Sequence, residues 1–295
     1  MMRSYDELLS VTRIIDAHHH VWEIARHPQT WMTPQQRVHI GHDRLLPQFE
    51  AEAVPAGVSG SVLVQTVRDH RETPEFLDLA TRSPLVLGVV GWVDLDAGAP
   101  TIAPQVEAAR GLPGAERLVG LRDQSADRPD PAWALTPEAD ALFSACGSAG
   151  LVVDLLLRPD QVPSAAEAAR RHPGTRFVLD HLGNVDLDAT TPSAGGRALA
   201  GIAGCSNVAV KLSAVAARAK DPATVRRLLP PLVNVVVDIF GARRVLFGSD
   251  WPVSQMSMSY PDVLEVVANA VAGLSAADQQ AVWSGTAVEW YRLRP

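Results

Sequence analysis

Residues Ile14–His20 read IIDAHHH, two β-branched residues followed by an aspartate and three histidines, with Val21 and Trp22 next. A short apolar run that turns ionisable only toward its C-terminal end reads as a buried parallel strand carrying polar groups to a site. Seven further runs of the same kind follow: Ser61–Val67 (SVLVQTV), Val86–Leu95 (VLGVVGWVDL), Leu118–Asp123 (LVGLRD), Leu151–Leu157 (LVVDLLL), Arg176–Leu182 (RFVLDHL), Val208–Ser213 (VAVKLS) and Val245–Trp251 (VLFGSDW). Helical segments lie between them. Thr73–Thr81 opens on Thr-Pro, an N-cap followed by the first helical position, and Thr136–Ala149 does the same and stops at Gly150. Asp160–Arg171, Asp221–Phe240 and Tyr260–Ala272 follow, and a helix over 275–283 starts at Ser275 with Asp278 three residues on, a loose capping box. Eight strands alternating with helices predict an α/β fold, the (β/α)8 TIM barrel, with residues 1–295 forming one barrel domain. An open doubly wound sheet would place a glycine-rich phosphate loop after its first strand. Here that position holds Trp22 and a long connection to Gln48, bearing His27, His39, His42 and three prolines. Long connections at this end of a barrel are where substrate contacts concentrate. Leu187–Gly196 (LDATTPSAGG) is small and polar and reads as a flexible loop at the same end.

Composition narrows the function. The apolar fraction is 47% and the charged fraction 20%, as in a soluble protein with a large core. A net charge of -7 argues against nucleic-acid binding, which needs a basic face. Cys146 and Cys205 form no CxxC motif and read as buried reduced thiols. The N-terminal MMRSYDELLSVTR carries Asp6 and Glu7 and lacks a signal-peptide core. No stretch approaches the roughly 18 uninterrupted apolar residues of a membrane span. The expectation is a cytoplasmic protein with no membrane or nucleic-acid partner; the homo-oligomeric state stays open.

Alternate strand residues point into a barrel, and catalytic groups sit at the C-terminal strand ends. On that alternation Asp16, His18 and His20 share the inward face and His19 lies opposite, with Asp16 one layer deeper and ordering the histidines from below. Polar residues recur at the other strand ends: Arg122, Asp154, His181, Lys211 and Asp250. Each is costly in an apolar strand unless paired or functional. Lys211 alone reads as an ion-pair partner and Asp154 as a hydrogen-bonding support. Their agreement in position points to a site. Two imidazoles aimed at one space suit a divalent metal or a polarised carbonyl. Asp250, in GSDWP, reads as a general base, with helix N-capping the structural alternative; Gly248 and Ser249 permit close packing there.

DAHHHVW (16–22), VLDHLGN (178–184) and RVLFGSDWPV (244–253) resemble the amidohydrolase superfamily. More narrowly they resemble its lactonase branch, which includes L-fuconolactonases, L-rhamnonolactonase-like proteins, 4-sulfomuconolactone hydrolase and 2-pyrone-4,6-dicarboxylate lactonase. HPQTWMTP (27–34), VLVQT (62–66), VVGWVDL (89–95), GLRDQ (120–124) and WSGTAVEWYRL (283–293) fit the same branch in the same order. The resemblance implies a barrel that hydrolyses a lactone. His18, His20, His181 and Asp250 match the metal-ligand positions. Strand five offers Asp154 and no histidine, and strand four offers Arg122 where a bridging Lys or Glu would sit, so one divalent ion, zinc, is implied, or none. The catalytic set is Asp250, His181 and Arg122. Substrate contacts fall to Lys211, Trp22, Trp31, Asp123, Asp154 and Trp251, the tryptophans as apolar walls. Asp123 stands where relatives commonly carry histidine, which disfavours an anionic substrate. The competing readings are a metal-dependent non-oxidative decarboxylase on the same barrel and a non-catalytic barrel that only binds.

Overall fold

The computed structural model describes residues 13–187 and 191–294, so the reading of the N-terminal stretch before Arg13 lies outside the described residues. Eight strands form one parallel sheet in chain order: β1 (Ile14–His19), β2 (Val58–Val64), β3 (Val86–Gly91), β4 (Leu118–Asp123), β5 (Val152–Leu155), β6 (Arg176–Leu179), β7 (Val208–Leu212) and β8 (Val245–Phe247). The sheet closes at its C-terminal end, where His19 bridges to Trp251 and Asp250 N donates to His18 O at 2.8 Å. This is the expected (β/α)8 TIM barrel.

Eleven α-helices are described: α1 (Pro34–Ile40), α2 (Leu46–Ala53), α3 (Glu72–Arg82), α4 (Ala99–Arg110), α5 (Pro137–Ala149), α6 (Val162–Arg171), α7 (Pro192–Ala203), α8 (Pro222–Phe240), α9 (Tyr260–Val271), α10 (Ala276–Gln280) and α11 (Thr286–Tyr291). Most starts follow the cap chemistry of the sequence. Thr136, Asp221, Ser259 and Ser275 each accept a bond from the backbone N–H three residues on. Thr73 does not. Helix α3 begins one residue earlier, at Glu72, and the buried Thr73 hydroxyl accepts from Trp92 N at 3.0 Å, tying α3 to the end of β3. Leu187–Gly196 is only partly loop: Thr191 caps α7, which starts at Pro192, while 188–190 lie outside the described residues. The long first connection is likewise half structured, holding α1 and α2.

Two apolar layers follow from strand alternation. Ile14, Leu63, Val89, Leu121, Phe177, Val210 and Phe247 face outward and pack against the helices. Ile15, Ala17, Val62, Val90, Val152, Val178, Ala209 and Leu246 face the axis, closed below by Trp290, Tyr291 and Leu293 of the C-terminal segment. Burying each large apolar side chain contributes roughly 1.5–3 kcal/mol. The extensive outer layer therefore carries most of the stability, and the upper axis is left for polar groups.

The axis also corrects one expectation. Asp16 pairs with Ser61 and His19 with Leu63, so β1 spends three steps where β2 spends two. This one-residue bulge reverses the alternation. Ile15 and Ala17 point inward below it, His18 and His20 point inward above it, and Asp16 is turned outward. Its carboxylate accepts from Ser249 N (2.8 Å), His18 N (3.1 Å) and the Tyr260 hydroxyl (2.9 Å). Asp16 thus orders the histidines through the backbone of β1, and not from beneath their rings. Burial pushes its carboxyl up to about 6 despite those bonds. His19 faces out, stacked on Phe49 with ring centroids 3.8 Å apart.

Candidate active site

The C-terminal strand ends enclose a cavity of about 390 Å³. His20, Arg122, His181 and Asp250 line its inner part, and Trp31 and Arg218 stand among its walls. Two of these groups reach it on left-handed backbone. Strand β6 ends at Leu179, and the chain then runs through positive φ at His181, Leu182, Gly183 and Asn184. That turn swings His181 to the cavity, although Phe177 and Leu179 before it face the helices. Asp250 has φ 59°. Left-handed conformations cost non-glycine residues about 1–2 kcal/mol each, and such strain gathers where function needs a fixed aim. Ser213 secures the His181 ring, its Oγ 2.8 Å from Nδ1.

His18 Nε2 and His20 Nε2 lie 3.1 Å apart, and Asp250 Oδ1 is 3.7 Å from the first and 3.4 Å from the second. His20 Nδ1 is 2.8 Å from Val64 O, an obligatory acceptor, so Nδ1 carries the hydrogen and the Nε2 lone pair faces the site. Burial, and then the charge of Lys211, push the His18 pKa well below its ordinary 6.5. Burial lowers His181 to about 4, against the pull of Asp250 and Asp180. Both rings are neutral at pH 7. Burial would raise the Asp250 carboxyl, but the imidazoles of His181 and His20 and the Arg218 guanidinium outweigh it and hold the group below the usual 3.8. Neutral imidazole nitrogens beside an ionised carboxylate are the donor set of a zinc-type ion, and Val64 O and Ser213 Oγ hold the far nitrogens of His20 and His181 and so fix both rings. His18, His20 and Asp250 are close enough to share one divalent ion, as are His18, Asp180 and His181. The residues fit such an ion.

Close approach at the floor depends on Gly248. A Cβ there would lie 2.7 Å from His18 Cβ and 3.1 Å from His18 N. Gly248→Ala is expected to displace His18, costing about 1–3 kcal/mol of stability and about tenfold in turnover. Denaturant titration and a rate assay on the same preparation measure both; full activity would show that His18 tolerates the shift.

Several expected contacts lie elsewhere. Lys211 and Asp154 are fully buried beneath His18, out of reach of a substrate. Lys211 Nζ is 2.5 Å from Asp154 Oδ2, 3.0 Å from Asp180 Oδ1 and 3.0 Å from His18 Nδ1. The Tyr291 hydroxyl donates to Asp154 Oδ1 at 2.6 Å. Asp123 sits on the outward face of β4, where alternation sends it once Arg122 points inward. Arg128 clasps it from Nε at 2.6 Å and Nη2 at 3.1 Å. Asp123 therefore carries no argument about substrate charge. Trp22 is buried against Met32 and Ile40, its indole donating to His42 O. Trp251 is buried against Phe49 and donates to Glu52. Of the three tryptophans only Trp31 lines the cavity.

Sequence reading also passed over Asp180. It stands two residues after inward-facing Val178, a visible signal, and its carboxylate meets Arg122 Nη1 at 3.1 Å as well as Lys211. Gln65, whose side-chain amide donates to Arg122 O at 3.0 Å and whose backbone carbonyl accepts from the Arg122 guanidinium, lies within VLVQT (62–66). Arg218 had no local signal. It is set by bonds to Ala214 O (3.1 Å), four residues back, and to Asn184 Oδ1 (2.6 Å), a partner that only the fold supplies.

A curated L-fucono-1,5-lactonase of Burkholderia ambifaria is 33% identical, the match covering 84% of this chain and 83% of that protein. An L-fucono-1,5-lactonase of Burkholderia multivorans is also 33% identical, over 95% of this chain and 96% of its own. The chain is similar as well to the crystal structure of a Burkholderia multivorans amidohydrolase with bound Zn: TM-score 0.86 and 30% identity over 96% of this chain and 100% of that one. The amidohydrolase family pattern spans residues 15–293, and on that extent together with these relatives the chain belongs to the amidohydrolase family.

Proposed function

We propose that this protein opens a lactone ring by attack of water, on a sugar lactone of the six-membered aldonolactone kind. The observation that carries the reading is the convergence of His18 Nε2, His20 Nε2 and Asp250 Oδ1 within 3.7 Å, with His20 and Asp250 lining one cavity and His18 directly behind them. The name of the curated relatives supports the substrate class.

Asp250, held ionised, accepts a proton from the attacking water. The water oxygen bonds to the carbonyl carbon, and the resulting tetrahedral oxyanion is met by the Arg122 side of the cavity. Collapse breaks the bond to the ring oxygen, and Asp250 returns its proton there, leaving a hydroxy acid. His181, fixed by Ser213, holds a neutral nitrogen toward the substrate. Trp31 supplies an apolar wall. A divalent ion held by His18, His20, His181 and Asp250, zinc by its donor set, supplies Lewis-acid polarisation of the carbonyl when bound. Lys211 acts from beneath, by setting His18. Among the described residues no helix is long and apolar enough to cross a membrane. The buried free thiols of Cys146 and Cys205 support a cytoplasmic setting, and the substrate a place in carbohydrate metabolism.

The test is a panel of aldonolactones and aromatic acids, followed with a pH indicator, with metal content measured on the same protein. Acid release from an aldonolactone is the expected result. Loss of an aromatic carboxyl as carbon dioxide, with no lactone turned over, would replace this reading by decarboxylation.

A further inference from the structure

Glu72 opens α3, yet it serves the end of β2. Its buried side chain folds back so that Oε2 accepts from Thr66 N at 2.8 Å and from Val67 N at 3.3 Å, while Oε1 accepts the Thr66 hydroxyl. Thr66 Oγ1 in turn accepts from Gln29 Nε2 at 3.0 Å, and Gln29 Oε1 accepts from Trp31 Nε1 at 2.8 Å. The second Gln29 amide hydrogen goes to His27 O at 2.9 Å, so the fully buried Gln29 side chain is satisfied. The loop base is pinned beside it, with His27 Nδ1 3.1 Å from Asp69 and Nε2 2.7 Å from Glu75.

The two ends of this chain set its direction. A carboxylate only accepts and an indole N–H only donates. Between them the Thr66 hydroxyl and the Gln29 amide could each turn either way. With Glu72 ionised they have one arrangement, every donor pointing toward the carboxylate. The indole is then held by Gln29 Oε1, and Trp31 and Thr66 both line the cavity. An amide at position 72 breaks the arrangement, because it must offer N–H groups either to Thr66 Oγ1 or to the backbone donors of Thr66 and Val67.

We infer that Glu72 is a positioning residue for the substrate pocket, fixing the indole of Trp31, through Thr66 and Gln29, as the wall against which the substrate ring lies. The inference rests on the lactonase reading for its substrate and on the chain of bonds for its geometry. It assigns a role in binding to a carboxylate that touches neither substrate nor reacting atoms.

The decisive variant is Gln29→Met, which removes the link and leaves the Glu72 bonds to β2 in place; Glu72→Gln is its companion. Both are assayed at pH 8, above the value of about 7 to which burial raises Glu72. With the best lactone of the panel, KM is expected to rise about tenfold in each while kcat stays within about twofold, the pattern of lost ground-state positioning. The fluorescence assigned to Trp31, wild type minus Trp31→Phe, should shift to the red and become more open to acrylamide quenching. An unchanged KM, or a fall in kcat alone, in folded Gln29→Met overturns the inference, and so does unchanged Trp31 emission. If no lactone is hydrolysed by the wild type, the functional reading fails by itself, and the emission of Gln29→Met still decides whether the chain holds the indole. If Glu72→Gln fails to fold, Gln29→Met carries the test.

Discussion

Replacing Asp250 with Asn is expected to lower lactone turnover by about 10³-fold, within the 10²–10⁴ range of a positioned general base. The substitution is close to isosteric, and Asn tolerates the left-handed backbone that Asp250 adopts at φ 59°. Folding should therefore survive. What disappears is the negative charge 3.4 Å from His20 Nε2 and 3.7 Å from His18 Nε2. Asp180, the nearest alternative, is engaged by Lys211 and Arg122. The measurement is kcat on the purified variant, with circular dichroism and thermal melting to establish that it is folded. A rate within tenfold of wild type would falsify the proton-transfer role.

The second large effect is on stability. Lys211→Met is expected to destabilise the fold by about 3–5 kcal/mol, the cost of removing one partner from a buried ionic network. The ammonium is fully buried and bonded on three sides, to Asp154, Asp180 and His18. Burial raises Asp154, Lys211 draws it part of the way back, and the group stands at about 6; burial would also raise Asp180, and Lys211, His18 and Arg122 together hold it well below 3.8. Methionine fills similar space but leaves two desolvated carboxylates answered by Arg122, Tyr291 and the His18 ring, with no ammonium between them. Against a total stability of about 5–15 kcal/mol, that loss approaches unfolding. Lys211→Met/Asp154→Leu should recover part of it, because the double change removes one stranded charge along with its partner. Denaturant midpoints measure both. An unchanged midpoint for Lys211→Met would mean that the network adds nothing to the fold.

Both predictions turn on depth, which the sequence conveys poorly. Strand β4 was legible to the residue, because Leu118–Asp123 is a self-contained apolar run with a polar end. The Thr136 and Asp221 caps were legible because they depend on groups three residues away. Thr73 was misread because its hydroxyl is claimed by Trp92, nineteen positions on. Alternation placed Arg122 and Asp123 on opposite faces correctly in principle, yet Asp123 entered the substrate set because its partner Arg128 comes from the following loop. Trp22, Trp31 and Trp251 looked alike in sequence. Only the packing of the long first connection separates the one that lines the cavity from Trp22, packed with Met32 and Ile40, and Trp251, packed on Phe49.

The amino-acid sequence by itself determined the number and order of the strands, several of the helices between them, the barrel they form, and the chemistry at the strand ends. These follow from periodicity and from short-range cap bonds, which are properties of neighbouring residues. Tertiary structure alone decided which polar groups meet. The bulge in β1 reversed the alternation between Ala17 and His18, turning Asp16 away from the axis. The left-handed turn after β6 brought His181 to the cavity while Asp180 took the inward strand position, and Lys211 came to rest under His18. Each outcome depends on register between strands and on partners far away in the chain, because burial and pairing at the axis are set by all eight strands at once.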